Sequence, residues 1–188
     1  MSRDLVVAVS GGIGGAKLAL GLSRIVPADN LLVVANVGDD FEHLGLHISP
    51  DVDTLMYTLA GLDNTKVGWG RRDETWSFME TLTALGGEDW FRLGDRDLAV
   101  HVERTIRLRR GESLSTITAD FCGRLGVGPR VLPATDDPVR IERMRAGSIF
   151  RIISCVFSAA LWCGSLFSTA PRMRALIPTF WRRCAMNA

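Results

Sequence analysis

The 188-residue chain is 47% apolar and 23% charged with a mean hydropathy of +0.15, enough to bury the core of one α/β domain and too apolar for disorder by composition. Its formal charge of +1 averages two unlike pieces: residues 1–142 hold all 21 acidic side chains against 15 basic ones, a formal −6, whereas residues 143–188 hold seven arginines and no acid. The acidic piece carries one cysteine, Cys122, which excludes a disulfide framework or a paired-cysteine metal site and fits a reduced, cytoplasmic setting.

In chain order, the run Leu5 to Val9 reads as a strand covered on both faces. Five apolar residues before a glycine are too few for a secretory core. After the stretch SGGIGGAKL, Leu18, Leu22, Ile25 and Val26 recur at helical spacing, so a helix is expected from about Gly15 to the residue before Pro27. Leu31 to Val37 reads as a second buried strand. Strand, glycine turn, helix and strand within about thirty residues form a βαβ unit, which requires parallel strands. The expected fold class is therefore α/β, an open, mostly parallel, Rossmann-like sheet.

Four further helices follow. One starts at Ser49 as N-cap, with Pro50 in the first turn and Asp51 and Asp53 favouring its positive end. The next three align Phe78, Leu82 and Leu85; Leu98, Val102 and Ile106; and Ile117, Phe121 and Leu125, each along one face. The segment RVLP, residues 130–133, reads as a short strand before the turn ATDDP.

The glycine stretch lacks the residues of a Walker A loop, since Ala16 precedes Lys17 and Leu18 follows it. The dinucleotide fingerprint also fits poorly, with Lys17 at its third glycine and Asn36 where an acid should close the second strand. What survives is general: backbone N–H groups at a helix N-terminus after a buried strand attract an anion such as phosphate. Glycine for close strand–helix packing alone is the competing explanation.

Asp39 and Asp40 directly follow the second strand, with Asp51 and Asp53 a few residues on. Four carboxylates within fifteen residues, at the strand edge where open α/β sheets bind ligands, point to a hard cation such as Mg2+; helix capping and loop solvation are the bland alternatives. His43 and His47 have the spacing of two zinc ligands on a helix, but Gly45 lies between them and no third ligand is near in sequence. The cluster LGDRD, residues 93–97, is a second acidic-basic group before a helix, with an N-cap and local ion pairs as its bland alternative. Arginines 104, 107, 109 and 110 read as a solvated helix face without the interleaved aromatics of a nucleic-acid surface.

The segments SGGIGGAKL, NVGDD, SPDVDTLMYTLAG, GWGRRDETW, RLGDRDLA and LPATDDPV, in this order and spacing, resemble the 2-phospho-L-lactate transferase family of coenzyme F-420 biosynthesis. The resemblance implies transfer of a 2-phospholactyl or phosphoenolpyruvyl group from a guanosine diphosphate ester to a hydroxyl of a deazaflavin precursor. GMP is released and Mg2+ is required. By the same resemblance Gly11, Gly12, Gly14 and Gly15, with Lys17 beside them, form a phosphate-side loop, and Asp39 and Asp40 contact the metal. Asp53 contacts the deazaflavin, Arg92 or Arg96 supplies a basic position there, and Asp39 or Asp53 accepts the hydroxyl proton. Small-molecule partners, no nucleic acid and an open question of homodimerisation belong to the same expectation. Ile13 and Ala16 depart from the threonine and proline of many relatives.

The resemblance fades near Arg140. Residues 1–141 are expected to be the N-terminal part of the transferase domain and residues 142–188 an atypical tail. From 143 on there is no Asp, Glu, Lys, Gln, His or Tyr, yet three of four cysteines and half of the phenylalanines. The expectation is an out-of-frame translation and a truncated domain, because the codons of GSIFRIISCV can encode a family-like continuation in another frame. In that case the chain is an inactive copy, or a nucleotide-binding module without catalysis. The rival reading takes Ile152 to Pro171, twenty residues without a charge, as a membrane anchor; flanking arginines on both sides give it no clear orientation.

Overall fold

The computed structural model describes residues 4–66 and 70–139, all within a unit spanning residues 1–148. The tail, and with it the out-of-frame and membrane-span expectations, lies outside the described residues.

Strand β1, Val6–Ser10, leads into helix α1, Gly12–Ser23, then a short 3-10 turn, Ala28–Asn30, and strand β2, Leu31–Ala35. Two short strands follow, β3 Phe41–His43 and β4 Leu46–Ile48. Helices α2 Pro50–Leu59, α3 Ser77–Ala84, α4 Asp95–Arg109 and α5 Leu114–Arg124 precede strand β5, Arg130–Pro133. The main sheet is parallel in the order β1-β2-β5, with Val6 opposite Leu31 and Leu32 opposite Arg130. All five residues of β2 are buried, as expected for the middle strand of a parallel sheet flanked by helices. The α/β reading is therefore what the molecule shows.

Several faces differ from the helical-period expectation. Helix α1 starts at Gly12 rather than near Gly15, which places the glycines inside its first turns. It buries Ala16 and Ala19, while Leu18 and Ile25 are exposed. Small side chains let α1 lie close to its neighbours, where a leucine would hold it off. Met79, rather than Phe78 or Leu85, is the buried residue of α3. Helix α5 follows its predicted face, burying Ile117 and Phe121, and Ser113 caps it by accepting from the Thr116 N–H.

Helix α4 shows the largest departure. Its buried residues are His101, Arg104 and Thr105, while Val102 and Ile106 are partly exposed. The polar face turns inward because it finds charged partners on α2.

His43 and His47 lie on an antiparallel hairpin, not a helix. The pairs Phe41–Ile48, Glu42–His47 and His43–Leu46 are joined by Leu44 at φ 53° and Gly45 at φ 69°. Two left-handed residues are what a two-residue hairpin turn with the right twist demands. The hairpin packs in a second small core around Ile48, Met79 and Leu93.

The segments around residues 74 and 95 lock the starts of α3 and α4 to each other. The Asp95 carboxylate accepts from the Thr75 hydroxyl at 2.5 Å and from the Ser77 and Phe78 N–H groups at 3.1 and 3.0 Å. Glu74 accepts from the Arg96 and Asp97 N–H groups at 2.7 and 3.0 Å. Each carboxylate thus caps the other segment's helix, satisfying N–H groups that have no intrahelical partner. Gly94 makes room for this, since a Cβ there would lie 2.4 Å from the Glu74 side chain.

Candidate functional site

The carboxyl ends of β1 and β2 define the site. Beyond β1, the first helical hydrogen bond of α1 runs from the Gly15 N–H to the Gly11 carbonyl at 3.3 Å. The N–H groups before it therefore lack intrahelical acceptors. Gly12 takes φ 61°, a left-handed conformation that glycine adopts without strain. A Cβ on Gly15 would meet the Ser10 Oγ at 2.6 Å and the Ser10 Cα at 2.9 Å, so glycine is needed there for α1 to abut β1. Gly14 has nothing within 4 Å of its Cβ position. Close packing thus explains Gly15 but leaves Gly12 and Gly14 to the solvent-facing edge. Lys17 is exposed on the same helix.

Beyond β2, Asn36 continues the ladder through its N–H to the Ser10 carbonyl. Its side-chain oxygen accepts from the Gly38 N–H at 3.0 Å, which turns its amide nitrogen toward two carboxylates. That nitrogen reaches Asp51 Oδ2 at 2.9 Å and Asp39 Oδ2 at 3.4 Å. The other oxygen of Asp51 accepts from the Gly12 N–H at 2.8 Å. Gly12, Asn36, Asp39 and Asp51 therefore form one cluster. Burial, and then the charge of Asp51, hold the Asp39 carboxyl above its usual range.

Asp51 stands in the sequence both at a helix start and among the four carboxylates that point to a cation. Two signals single it out from that group: a carboxylate in the first turn of a helix starting at the sheet edge, and the polar Asn36 at the end of an otherwise apolar strand.

Asp40 turns elsewhere. Its Oδ2 accepts from the Ser49 hydroxyl at 2.8 Å and sits 3.1 Å from His47 Nε2. Ser49 therefore spends its side chain on Asp40 and does not cap α2 with it. Burial pushes the Asp40 carboxyl up against the lowering influence of His47 and Ser49.

Asp53 is 5% exposed and faces the interior. Both of its oxygens accept from the Arg104 guanidinium, one of them at 3.0 Å. His101 Nδ1 lies 3.7 Å from Asp53 and its Nε2 3.3 Å from Asp97, and the Tyr57 hydroxyl donates to Asp97 at 2.5 Å. Burial alone would raise Asp97, but His101 and Tyr57 outweigh it and leave the carboxyl low; the Tyr57 phenol is driven far up by burial and by Asp53 and Asp97. Asp53, Asp97 and His101 bring ligand atoms within 4.8 Å of one another, the one such metal-capable group among the described residues. Arg104, itself 1% exposed, already supplies a cation at that point.

Arg92 stacks its guanidinium 4.9 Å from the Trp76 ring centroid. Arg96 is exposed, and its backbone N–H is engaged by Glu74. The structure thus gathers Gly11, Gly12, Asp39 and Asp51 at one edge. It turns Asp40 to the hairpin and Asp53 to α4, and sets Arg92 and Arg96 near the joined starts of α3 and α4.

A family model described as 2-phospho-L-lactate transferase CofD matches residues 6–151. The phosphoenolpyruvate transferase of Streptomyces avermitilis is 48% identical over 138 residues, covering 73% of this chain and 43% of that protein. The phosphoenolpyruvate transferase of Nocardia farcinica is 47% identical over 133 residues, covering 70% and 40%. That of Mycobacterium tuberculosis is 47% identical over 146 residues, covering 70% and 44%. The chain thus spans about two fifths of the length of these curated relatives.

Proposed function

The chain belongs to the 2-phospho-L-lactate transferase family, and from that premise we propose that it moves a phosphoenolpyruvyl group from a guanosine diphosphate ester to a deazaflavin hydroxyl, releasing GMP. The names of the relatives favour the phosphoenolpyruvyl donor over the 2-phospholactyl one. The observation that carries the reading is the cluster of Gly12, Asn36, Asp39 and Asp51 at the carboxyl ends of parallel strands. An anion-binding helix start beside two carboxylates suits a substrate that brings a diphosphate and needs its charge offset.

In this reading the N–H groups at the start of α1 that lack intrahelical acceptors hold the donor's phosphates, and Lys17 adds a mobile positive charge. Asp39 and Asp51 fit Mg2+: both offer oxygen, the donor type a hard cation prefers, and both converge on the Asn36 amide. Bound Mg2+ offsets charge on the transferred phosphate. One Asp40 oxygen is taken up by Ser49 and His47 and the other is buried, away from the Asn36 cluster, so in this reading Asp51 stands in the metal role.

In the transfer, the deazaflavin oxygen forms a bond to the phosphorus that carries the three-carbon group, the bond from that phosphorus to the GMP oxygen breaks, and the hydroxyl proton must leave. With Asp39 committed to the metal, its carboxylate does not also take that proton, which passes to solvent at this exposed edge. Asp53, enclosed by Arg104, serves the architecture instead. Arg92 and Arg96 remain proposed for the deazaflavin side. A cytoplasmic setting belongs to this reading; among the described residues no helix is long and apolar enough to cross a membrane.

The test is to incubate the full chain with deazaflavin, Mg2+ and each of the two guanosine diphosphate esters and to quantify GMP. Release that needs both substrates and the metal supports the transferase. Donor binding without GMP release would instead mark a nucleotide-binding module, and no binding of either substrate would overturn the reading.

A further inference from the structure

We propose that Asp51 is an exchangeable placeholder: without metal it occupies the Gly12 N–H that a phosphate oxygen of the donor would take, and a divalent cation draws it away toward Asp39. This inference rests on the phosphate-transfer reading of the same site, and it adds that cation and anion bind in a coupled way.

The geometry carries the argument. Asp51 Oδ1 accepts from the Gly12 N–H at 2.8 Å, so one donor of the helix start is engaged by the chain's own carboxylate. A Cβ on Gly11 would lie 3.4 Å from Asp51 Oδ2, an ordinary contact distance, so Asp51 sits directly beside the loop. The second oxygen shares the Asn36 amide nitrogen with Asp39, at 2.9 and 3.4 Å. The amide orientation is fixed by the Gly38 N–H on the Asn36 oxygen. Two carboxylates thus converge on one neutral amide, whose two N–H groups leave both negative charges unneutralised. A divalent ion between them satisfies both far better than an amide hydrogen does.

With Asp51 still on Gly12, an incoming phosphate would meet a carboxylate at the same N–H. Like charges at such range repel strongly. Once a cation engages Asp51 and Asp39, the Gly12 N–H becomes free and the repulsion is offset. By linkage, each ligand must then tighten the other.

The experiment uses the full chain, Mn2+ followed by its electron paramagnetic resonance signal, and inorganic pyrophosphate followed calorimetrically in metal-free buffer. Thermal melts confirm that each variant is folded. Asp51→Asn is expected to bind Mn2+ at least tenfold more weakly than the parent and metal-free pyrophosphate at least tenfold more tightly. Asp39→Asn removes the same charge but leaves Asp51 on Gly12. It is expected to weaken Mn2+ binding while pyrophosphate binding stays at the parent level. If both variants raise pyrophosphate affinity equally, the effect is bulk charge and the placeholder is refuted. It is equally refuted if Asp51→Asn leaves Mn2+ binding unchanged. Should Asp51→Asn not fold, Asp51→Ser, which keeps a small acceptor near Gly12, is read against the same two outcomes. Neither readout involves deazaflavin or GMP, so failure of the transferase reading is seen separately.

Discussion

Replacing Arg104 by methionine probes the buried pair that anchors α2 to α4. Arg104 is 1% and Asp53 5% exposed, and the guanidinium holds both oxygens of the carboxylate. Arg104→Met keeps most of the side-chain volume but strands an anion in the interior. Its remaining cationic candidate is His101, 3.7 Å away. Each hydrogen bond to a charged group is worth about 1.5–3 kcal/mol, and breaking one side of a buried pair costs about 3–5 kcal/mol in measured cases. Against a total stability of about 5–15 kcal/mol for a domain, the variant should lose a large fraction of its margin. Equilibrium urea unfolding of the full chain measures this as a fall in midpoint at constant slope. Adding Asp53→Leu removes the stranded charge, and the double variant should recover most of the loss, since well-packed apolar pairs replace buried ion pairs at little cost. A loss below about 1 kcal/mol for Arg104→Met, which is the range of exposed pairs, would refute the claim that the pair is buried and mutually dependent. So would a double variant no more stable than the single one.

The two inner glycines of α1 should separate cleanly. Gly15→Ala must push against Ser10 backbone 2.9 Å away and should destabilise by about 1–3 kcal/mol, whereas Gly14→Ala meets nothing within 4 Å and should stabilise by about 0.5–1 kcal/mol through helix propensity; urea midpoints measure both. Asp95→Ala should lower the melting temperature by several degrees near neutral pH, because α3 loses its cap. The Thr75 hydroxyl and the Phe78 N–H hold the Asp95 carboxyl below its ordinary value, so this contribution is fully present above the unfolded carboxylate pKa of about 3.9 and is lost as pH falls through the lower folded value. The gap in melting temperature between parent and variant should therefore close in acid; a gap that stays constant down to acid pH would refute it.

The middle strand was readable from sequence because burial on both faces leaves a continuous run, as Leu31 to Ala35 shows. The same reading of the first run as covered on both faces fails, since β1 lies at the edge of the described sheet, with Leu5 57% and Val9 68% exposed. The start of α2 was legible from Pro50 at its first position, although Ser49 does not cap it through its side chain, and the inward face of α5 from its period. Helix α4 was not, because hydropathy assigns Arg104 and His101 to water. Only knowledge of Asp53 and Asp97, set against them in space, reverses that assignment. The hairpin escaped for a different reason: Leu44 in a left-handed turn conformation carries no turn signature of its own. The mutual capping by Glu74 and Asp95 joins residues about twenty apart, beyond any local pattern.

The candidate site shows the same division at finer scale. Asp51 and Asp53 are two residues apart on a helix, a rotation of about 200°, so they cannot serve one point. One faces the glycine segment and the other the guanidinium of α4. Asp39 and Asp40 part similarly, one toward Asn36 and the other toward Ser49 and His47. In each doublet one carboxylate is held inside by hydrogen-bonding partners and fixes the local backbone. That fixed neighbour sets where the other stands, which is why substitutions at Asp53 or Asp40 should disturb the cluster at Gly12 while contributing no group to it.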